Sequence, residues 1–188
     1  MLIIPYTRQI PLEADRAARG IEDRVKPVLI ERYLGGDAKR YETEFVWHVL
    51  ITQVPNIVMA AGDDFAGKTV LDLGCGSEFS YDTIAYPYKP WFCRALKVLG
   101  ARPIGVDIAP MPGEEFERYE RDLLHADSLR IIPDRSVDIA NASALFDSPV
   151  LERIHGRKAW NLLEHLYKQL TRIVKIDGVF VYDPTGTR

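Results

Sequence analysis

The chain has few cysteines and no strong excess of charge of either sign. Cys75 and Cys93 are its only cysteines, too few for a disulfide framework or a Cys-based zinc site, so we expect a reducing compartment, the cytoplasm. The 24 basic and 27 acidic side chains leave a formal net charge of −3. This balance argues against binding nucleic acid through a broad basic face, although a local patch stays open.

Several familiar patterns are absent. No apolar run reaches the roughly 20 residues that a membrane span needs. The N-terminus M-L-I-I-P-Y-T-R has neither a basic segment nor a small-residue cleavage site, so we expect no membrane partner and no secretion. The sequence has no C-x-x-C, no H-E-x-x-H and no Ser/His/Asp spacing, and therefore no predicted metal site. His155 and His165 are expected to be solvated.

What remains is an ordinary globular composition with a regular alternation of elements. Hydrophobic residues make up 47% and charged residues 27% of the 188 residues, typical of one domain with a substantial core. We expect residues 1–64 to pack on a nucleoside-binding core of residues 65–188. Five short apolar stretches alternate with helical patterns, which predicts an α/β fold with a mostly parallel sheet and helices on both faces. The predicted strands are 69–73, 103–107, 119–123, 136–142 and 178–183.

The N-terminal part carries a different pattern. Residues 1–11 are apolar but interrupted by prolines, which favours an extended arm. Apolar residues at helical intervals predict helices over 13–32 and 41–59. We expect Pro27 to divide the first helix and Pro55 to kink or end the second.

The first predicted strand leads into the most informative stretch of the chain, V-L-D-L-G-C-G-S. Gly74 and Gly76 allow positive φ and let a ligand approach the backbone closely. A buried strand that ends in D-x-G-x-G lies where open α/β sheets bind nucleosides, beyond the carboxyl ends of the strands. The alternative is a tight strand-to-helix turn that binds no ligand. Phe79 stands where a dinucleotide fingerprint has its third glycine, which argues against a nicotinamide cofactor.

This stretch resembles the first motif of class I S-adenosylmethionine-dependent methyltransferases, and G-V-D at 105–107 is similar to the end of their second strand. The resemblance covers roughly residues 65–184 and implies a Rossmann-like doubly wound sheet with S-adenosylmethionine as the cofactor. It implies that the glycines hold the methionine and ribose parts of the cofactor, while Asp72 orders its amino end. The cofactor residues implied are Asp72, Gly74, Cys75, Gly76, Asp107, Ile108, Asp122 and Leu123.

Three of these residues have more specific expected roles. Asp107 ends the second strand, where a carboxylate can accept both ribose hydroxyls. Ile108 would cover one face of the adenine, with a plain core role as the alternative. Asp122, which precedes Leu123, stands where the family places a polar group near the adenine amine.

An insertion separates the glycines from Asp107. Asp107 lies 31 positions after Gly76, against the roughly 20 expected for a ribose-binding acid, and the excess is located at 81–90. Its tyrosines and prolines favour a lid or substrate-recognition loop, with Tyr86 and Tyr88 on the acceptor side of the pocket. A packed surface excursion is the alternative.

The segment 141–149, N-A-S-A-L-F-D-S-P, faintly resembles the Asp/Asn-Pro-Pro-aromatic motif of enzymes that methylate amino groups of nucleic acids. Asp147 could accept a proton or hydrogen bond from a substrate, or it could cap a helix. With Tyr86 and Tyr88, it completes the set of catalytic candidates.

The family's sheet has seven strands, and we expect this chain to lack the last two. The edge left open would be covered by the N-terminal arm and helices, by a partner such as a second copy in a homo-oligomer, or by neither in a minimal member. The predicted function is methyl transfer to an unidentified, small-molecule acceptor. The alternative is a methyltransferase-like binding or regulatory protein without turnover.

Overall fold

A parallel β-sheet forms the centre of the chain. The computed structural model describes residues 1–43, 49–78, 89–143, 145–146, 148–156 and 161–184. The strands within these residues are β1 (Leu2–Pro5), β2 (Thr69–Leu73), β3 (Arg102–Asp107), β4 (Glu117–Glu120), β5 (Val137–Ala142) and β6 (Val174–Tyr182). The helices there are α1 (Leu12–Leu34), α2 (Ala38–Tyr41), α3 (Gln53–Ala61), α4 (Trp91–Val98), α5 (Pro149–His155) and α6 (Leu162–Ile173).

The strand order is β1-β6-β5-β2-β3-β4, and every neighbouring pair is parallel. From β2 the chain moves outward to β3 and β4, then returns to β5 on the other side of β2 and continues outward to β6. This reversal between β2 and β5 is the switch point of a doubly wound, Rossmann-like α/β fold, so the predicted fold class is confirmed. Because all strands are parallel, their carboxyl ends meet at one edge of the sheet.

Helices cover both faces of the sheet. Apolar residues of α1, α3 and α4 form one cluster with Val70 and Ile139. Apolar residues of α5 and α6 form a second cluster with Leu71 and Ala140. Successive residues of a strand therefore enter opposite layers, as expected for strands that are buried on both faces.

The N-terminal arm supplies a strand that the sequence pattern does not predict. Leu2 pairs with Val179 and Pro5 with Tyr182, in parallel, so the described sheet has six strands instead of the five predicted. The arm therefore covers the edge of β6 that was expected to be open. The outer edge of β1 is short and ends in proline, which limits further pairing. A homo-oligomer formed through this edge stays a prediction.

Two prolines behave differently from expectation. The first helix continues through Pro27 instead of dividing there. Val25 and Leu29 lie on either side of the proline and are fully buried, and their burial outweighs the lost helical hydrogen bond. Pro55 lies in the first turn of α3, where a missing N–H costs nothing, so it helps to begin a helix rather than to end one.

The third predicted strand is displaced along the chain. It was expected over 119–123, whereas β4 ends at Glu120, so Asp122 lies beyond the strand in the following loop. Separately, none of the helices in the described ranges has the length and hydrophobicity needed to cross a membrane.

Candidate functional site

Residues 74–77, here called the glycine loop, follow β2 at the carboxyl edge of the sheet. Gly74 and Gly76 have φ of 69° and 89°, in the left-handed region that glycine tolerates. The N–H of Gly74 donates to the Val106 carbonyl of β3 at 2.8 Å. A Cβ on Gly74 would lie 2.8 Å from Leu145 Cδ1, so a larger residue would also have to displace the end of the Leu145 side chain.

Asp107, at the end of β3, fastens the glycine loop to the neighbouring strand. Its Oδ2 accepts from the N–H of Gly76 and its Oδ1 from the N–H of Ala109, both at 2.9 Å. The Ser77 hydroxyl donates to the Pro110 carbonyl nearby. Burial raises the pKa of Asp107, and its backbone hydrogen bonds oppose that rise. The ribose role of Asp107 stays a prediction.

Asp72 lies in β2, two residues before the glycine loop, and only 3% of it is exposed. Its Oδ1 accepts from Asn141 Nδ2 at 2.6 Å, and the Cys93 thiol donates to its Oδ2 at 3.8 Å. Burial raises the pKa of Asp72 to about 7, while these two hydrogen bonds lower it. The carboxyl group therefore titrates near neutral pH, and its partners come from β5 and α4.

The register of the sheet explains these contacts. Asp72 pairs with Gly105 on one side and with Asn141 on the other, so the three form a row across β3, β2 and β5. Paired residues of parallel strands point to the same face. Because Gly105 has no side chain, neighbouring side chains fill the space there: a Cβ on Gly105 would lie 2.8 Å from both Cys75 Sγ and Phe116 Cε2, and 3.5 Å from Cys93 Sγ.

The Cys75 side chain belongs to a small buried cluster with Cys93, Met111 and Phe116. Its Sγ lies 3.3 Å from Met111 Sδ. Burial raises the pKa of Cys93 to about 11 and also raises the pKa of Cys75, so both thiols stay protonated. The Cys75 side chain packs against β3, and the cofactor contact of Cys75 stays a prediction that only its backbone could fulfil.

Asn141 makes a second contact that the sequence pattern does not reveal. It is fully buried, and its Oδ1 accepts from the Tyr6 hydroxyl at 2.5 Å. The chain after Tyr6 is held by α3, where Asn56 Oδ1 accepts from the N–H of Thr7 at 2.7 Å. The sequence offers one signal for these contacts: an asparagine stands inside an apolar stretch in β5 and again in α3. Such a residue is expected to need a hydrogen-bond partner, because a buried amide without one is costly.

Asp122 contacts two histidines. Its Oδ2 lies 2.9 Å from His155 Nε2 and 3.5 Å from His125 Nε2, and its Oδ1 accepts from the N–H of Leu124. The His155 side chain is only 17% exposed, so the expectation that it is solvated is wrong: it links α5 to the loop after β4. In the described part of the chain, no group of three or more His, Cys, Asp or Glu residues could hold a metal ion.

The remaining predicted residues divide into two groups. Leu123 is buried in the cluster beneath α5 and α6, and Ile108 is partly exposed beside the end of β3. The three catalytic candidates, Tyr86, Tyr88 and Asp147, lie outside the described residues.

Arg94 of α4 forms the other cluster at this edge that was not predicted. Its buried guanidinium places Nη2 at 2.6 Å from Glu78 Oε1 and 2.5 Å from Glu114 Oε1. It lies 4.4 Å from the ring centroid of Tyr33 and 4.7 Å from that of Trp91. Glu78 directly follows the glycine loop, so this cluster ties the end of the loop to α1 and α4.

Comparison with known proteins identifies no family. No protein-family model matches the chain, and no curated protein matches it. Among solved structures, the TT0316 protein of Thermus thermophilus is similar, with 14% sequence identity and a TM-score of 0.31. The similarity covers 95% of this chain and 53% of that chain, so this chain spans about half the length of TT0316. A likeness of this degree shows neither a family nor a function.

Proposed function

We propose that the chain is an S-adenosylmethionine-dependent methyltransferase that acts on a small-molecule acceptor. The observation that carries this proposal is the glycine loop at the switch point, with Asp72 just before it and Asp107 bonded to it. Doubly wound sheets bind ligands in the crevice beyond the strand ends at this point. The resemblance of V-L-D-L-G-C-G to the first methyltransferase motif supports the choice of ligand.

The charge at this edge favours S-adenosylmethionine over a dinucleotide. Two carboxyl groups at the ends of neighbouring strands suit a ligand with an ammonium group, a sulfonium and two ribose hydroxyls. In its anionic form Asp72 would attract the ammonium, and Asp107 would accept from the ribose. A nicotinamide dinucleotide brings a pyrophosphate instead, which two carboxylates repel.

When bound, S-adenosylmethionine supplies an activated methyl group. The part left to this chain is to hold the cofactor and the acceptor in line and to exclude water. A side-chain nucleophile is therefore not required, and the buried, protonated Cys75 and Cys93 are not candidates for one.

One observation favours the alternative, a methyltransferase-like binding protein without turnover. Asn141 begins the segment that carries the acceptor motif in enzymes that methylate amino groups of nucleic acids. Here it is fully buried, and its amide is occupied by Asp72 and Tyr6. A residue in that arrangement contacts no acceptor.

Calorimetric titration with S-adenosylmethionine, S-adenosylhomocysteine and NAD tests the proposal. We expect the first two to bind and Asp107→Ala to weaken S-adenosylhomocysteine by about ten- to a hundredfold, because charge-assisted bonds to the ribose are lost. Asp63→Ala, at an exposed aspartate, is the matched control. If neither methionine-derived ligand binds at millimolar concentration, the proposal is wrong. If S-adenosylmethionine binds but transfers its methyl group to no acceptor, the result favours the alternative.

A further inference from the structure

A chain of hydrogen bonds connects the N-terminal arm to the residue before the glycine loop. The Tyr6 hydroxyl donates to Asn141 Oδ1 at 2.5 Å, and Asn141 Nδ2 donates to Asp72 Oδ1 at 2.6 Å. The three residues come from the arm, β5 and β2, and the first two are separated by 135 positions in sequence. The arm therefore reaches the proposed site through one buried amide.

The chemistry of the two ends fixes the orientation of this amide. When Asp72 is ionised it only accepts hydrogen bonds, so the amide then presents its N–H₂ group to Asp72, as it does here. Its oxygen then faces Tyr6, whose hydroxyl can donate. Because Asn141 is fully buried, water does not replace either partner.

The position of the Tyr6 hydroxyl is set by elements that do not belong to the loop. The backbone N–H of Tyr6 donates to the Tyr182 carbonyl of β6 at 2.7 Å. The next residue, Thr7, is bonded through both its N–H and its carbonyl to the side-chain amide of Asn56, at 2.7 and 3.3 Å. Tyr6 is thus anchored to β6 and α3 on either side.

We propose that Tyr6 is a positioning residue for the glycine-loop site: its hydroxyl fixes the Asn141 amide, which in turn holds the Asp72 carboxylate charged for a cationic ligand. This inference rests on the proposed function for the nature of the ligand. The effect on Asp72 itself does not depend on any ligand and can be measured separately.

The hydrogen bond from Asn141 is decisive for the charge of Asp72 because of the groups that surround this carboxyl. Burial raises its pKa, Asp107 on β3 adds to the rise, and the Asn141 and Cys93 hydrogen bonds oppose it. Cys75 in the loop contributes a neutral thiol. Without the Tyr6 hydroxyl, the amide can turn its oxygen toward Asp72, which favours the protonated carboxyl. The pKa of Asp72 then rises further.

The test is Tyr6→Phe, which removes one hydroxyl and keeps the ring. We expect the ¹³C resonance of the Asp72 carboxyl to titrate at a pH higher by about half a unit to one unit than in the unchanged chain. S-adenosylhomocysteine affinity is expected to fall by about three- to tenfold near neutral pH and to recover near about pH 8.5, where Asp72 is ionised in both proteins. A role confined to stability would lower the melting temperature without moving either pH profile.

Tyr119→Phe is the matched control, because it removes a hydroxyl bonded to Glu117 at the opposite edge of the sheet. It is expected to leave both profiles unchanged. If Tyr6→Phe does not fold, Asn56→Ala loosens the arm without removing the hydroxyl and is expected to move the Asp72 titration in the same direction. An unchanged Asp72 titration in a folded Tyr6→Phe or Asn56→Ala protein overturns the inference. A shifted titration in a protein that binds no S-adenosylhomocysteine supports the link from Tyr6 to Asp72 and contradicts the proposed function.

Discussion

Asp72 and Asp107 lie at the carboxyl ends of neighbouring strands beside the same loop, yet different kinds of group hold them. Asp72 accepts from the Asn141 amide and the Cys93 thiol, which belong to β5 and α4. Asp107 accepts from backbone N–H groups, which lie in the glycine loop and just after β3. Asp72 is almost fully buried, whereas Asp107 is partly exposed.

This difference separates two tasks at one edge of the sheet. Backbone donors to Asp107 depend on the local path of the loop, so that carboxylate holds the shape of the loop. The side-chain donors to Asp72 depend on how distant elements pack. The state of the Asp72 carboxyl therefore depends on the positions of the arm, β5 and α4. We therefore expect Asp72 to control the response to pH and Asp107 to control the order of the loop.

The largest expected effect is a pH dependence of stability that belongs to Asp72. Its pKa rises from 3.8 to about 7 on folding, so between these values the folded protein holds a proton that the unfolded chain has released. The free energy of unfolding therefore falls as the pH rises from about 4 to about 7, by up to about 4 kcal/mol. Urea unfolding across this range in the unchanged chain and in Asp72→Asn measures it, since the substitution removes the titration.

Asp107→Asn is the comparison variant. Burial raises the pKa of Asp107, but its backbone hydrogen bonds oppose that rise, so we expect most of the pH dependence of stability to remain in this variant. Parallel pH profiles for the unchanged chain and Asp72→Asn would show that Asp72 does not titrate in this window.

The next effect concerns Gly105, which pairs with Asp72 in the sheet. A Cβ there would lie 2.8 Å from both Cys75 Sγ and Phe116 Cε2. We expect Gly105→Ala to lower the free energy of unfolding by about 1–3 kcal/mol through overpacking.

Gly20→Ala provides the matched control, since nothing lies within 4 Å of a Cβ on this helical glycine. It is expected to stabilise by about 0.5–1 kcal/mol, because alanine favours the helix. Equal thermal shifts for the two variants would mean that the space beside Asp72 is not tightly packed.

A smaller effect, on the hydrogen exchange of the glycine loop, distinguishes Asp107 from Asp72. In Asp107→Ala the Gly76 amide loses its acceptor, and we expect its hydrogen exchange to accelerate by about tenfold. Asp72→Asn should leave the exchange of this amide unchanged, because Asp72 accepts no hydrogen bond from it. Amide exchange followed by NMR gives both values, and acceleration in both variants would remove the distinction.

The smallest effect extends the comparison to Asp122, in the loop that follows β4. Asp122 is partly exposed and contacts His155 at 2.9 Å, so Asp122→Asn is expected to lower the free energy of unfolding by less than about 1 kcal/mol. His125→Ala, at a side chain that is 76% exposed, should have no measurable effect. A loss above about 2 kcal/mol in Asp122→Asn would place Asp122 with Asp72 among the buried, structure-linking carboxyls.

Much of the architecture could be predicted because it depends on local pattern. The alternation of apolar stretches predicts β2, β3, β5 and β6 near their observed places, and the two glycines predict the turn after β2 from steric preference alone. β4 was displaced because its four residues are mostly exposed and show little pattern. The continuity of α1 through Pro27 could not be predicted, since burial on both sides of the proline decides it.

The sequence by itself determined the α/β class, the position of the glycine loop and the acidic residues at the strand ends, because each follows from backbone preferences within a few residues. Only the tertiary structure decided what those acids contact. Residues far apart in the chain become neighbours through strand order and register, which place Gly105 and Asn141 beside Asp72 and bring Tyr6 onto Asn141. The addition of β1 to the edge of β6 is of the same kind, since a strand pairs wherever packing brings a free edge within hydrogen-bonding distance.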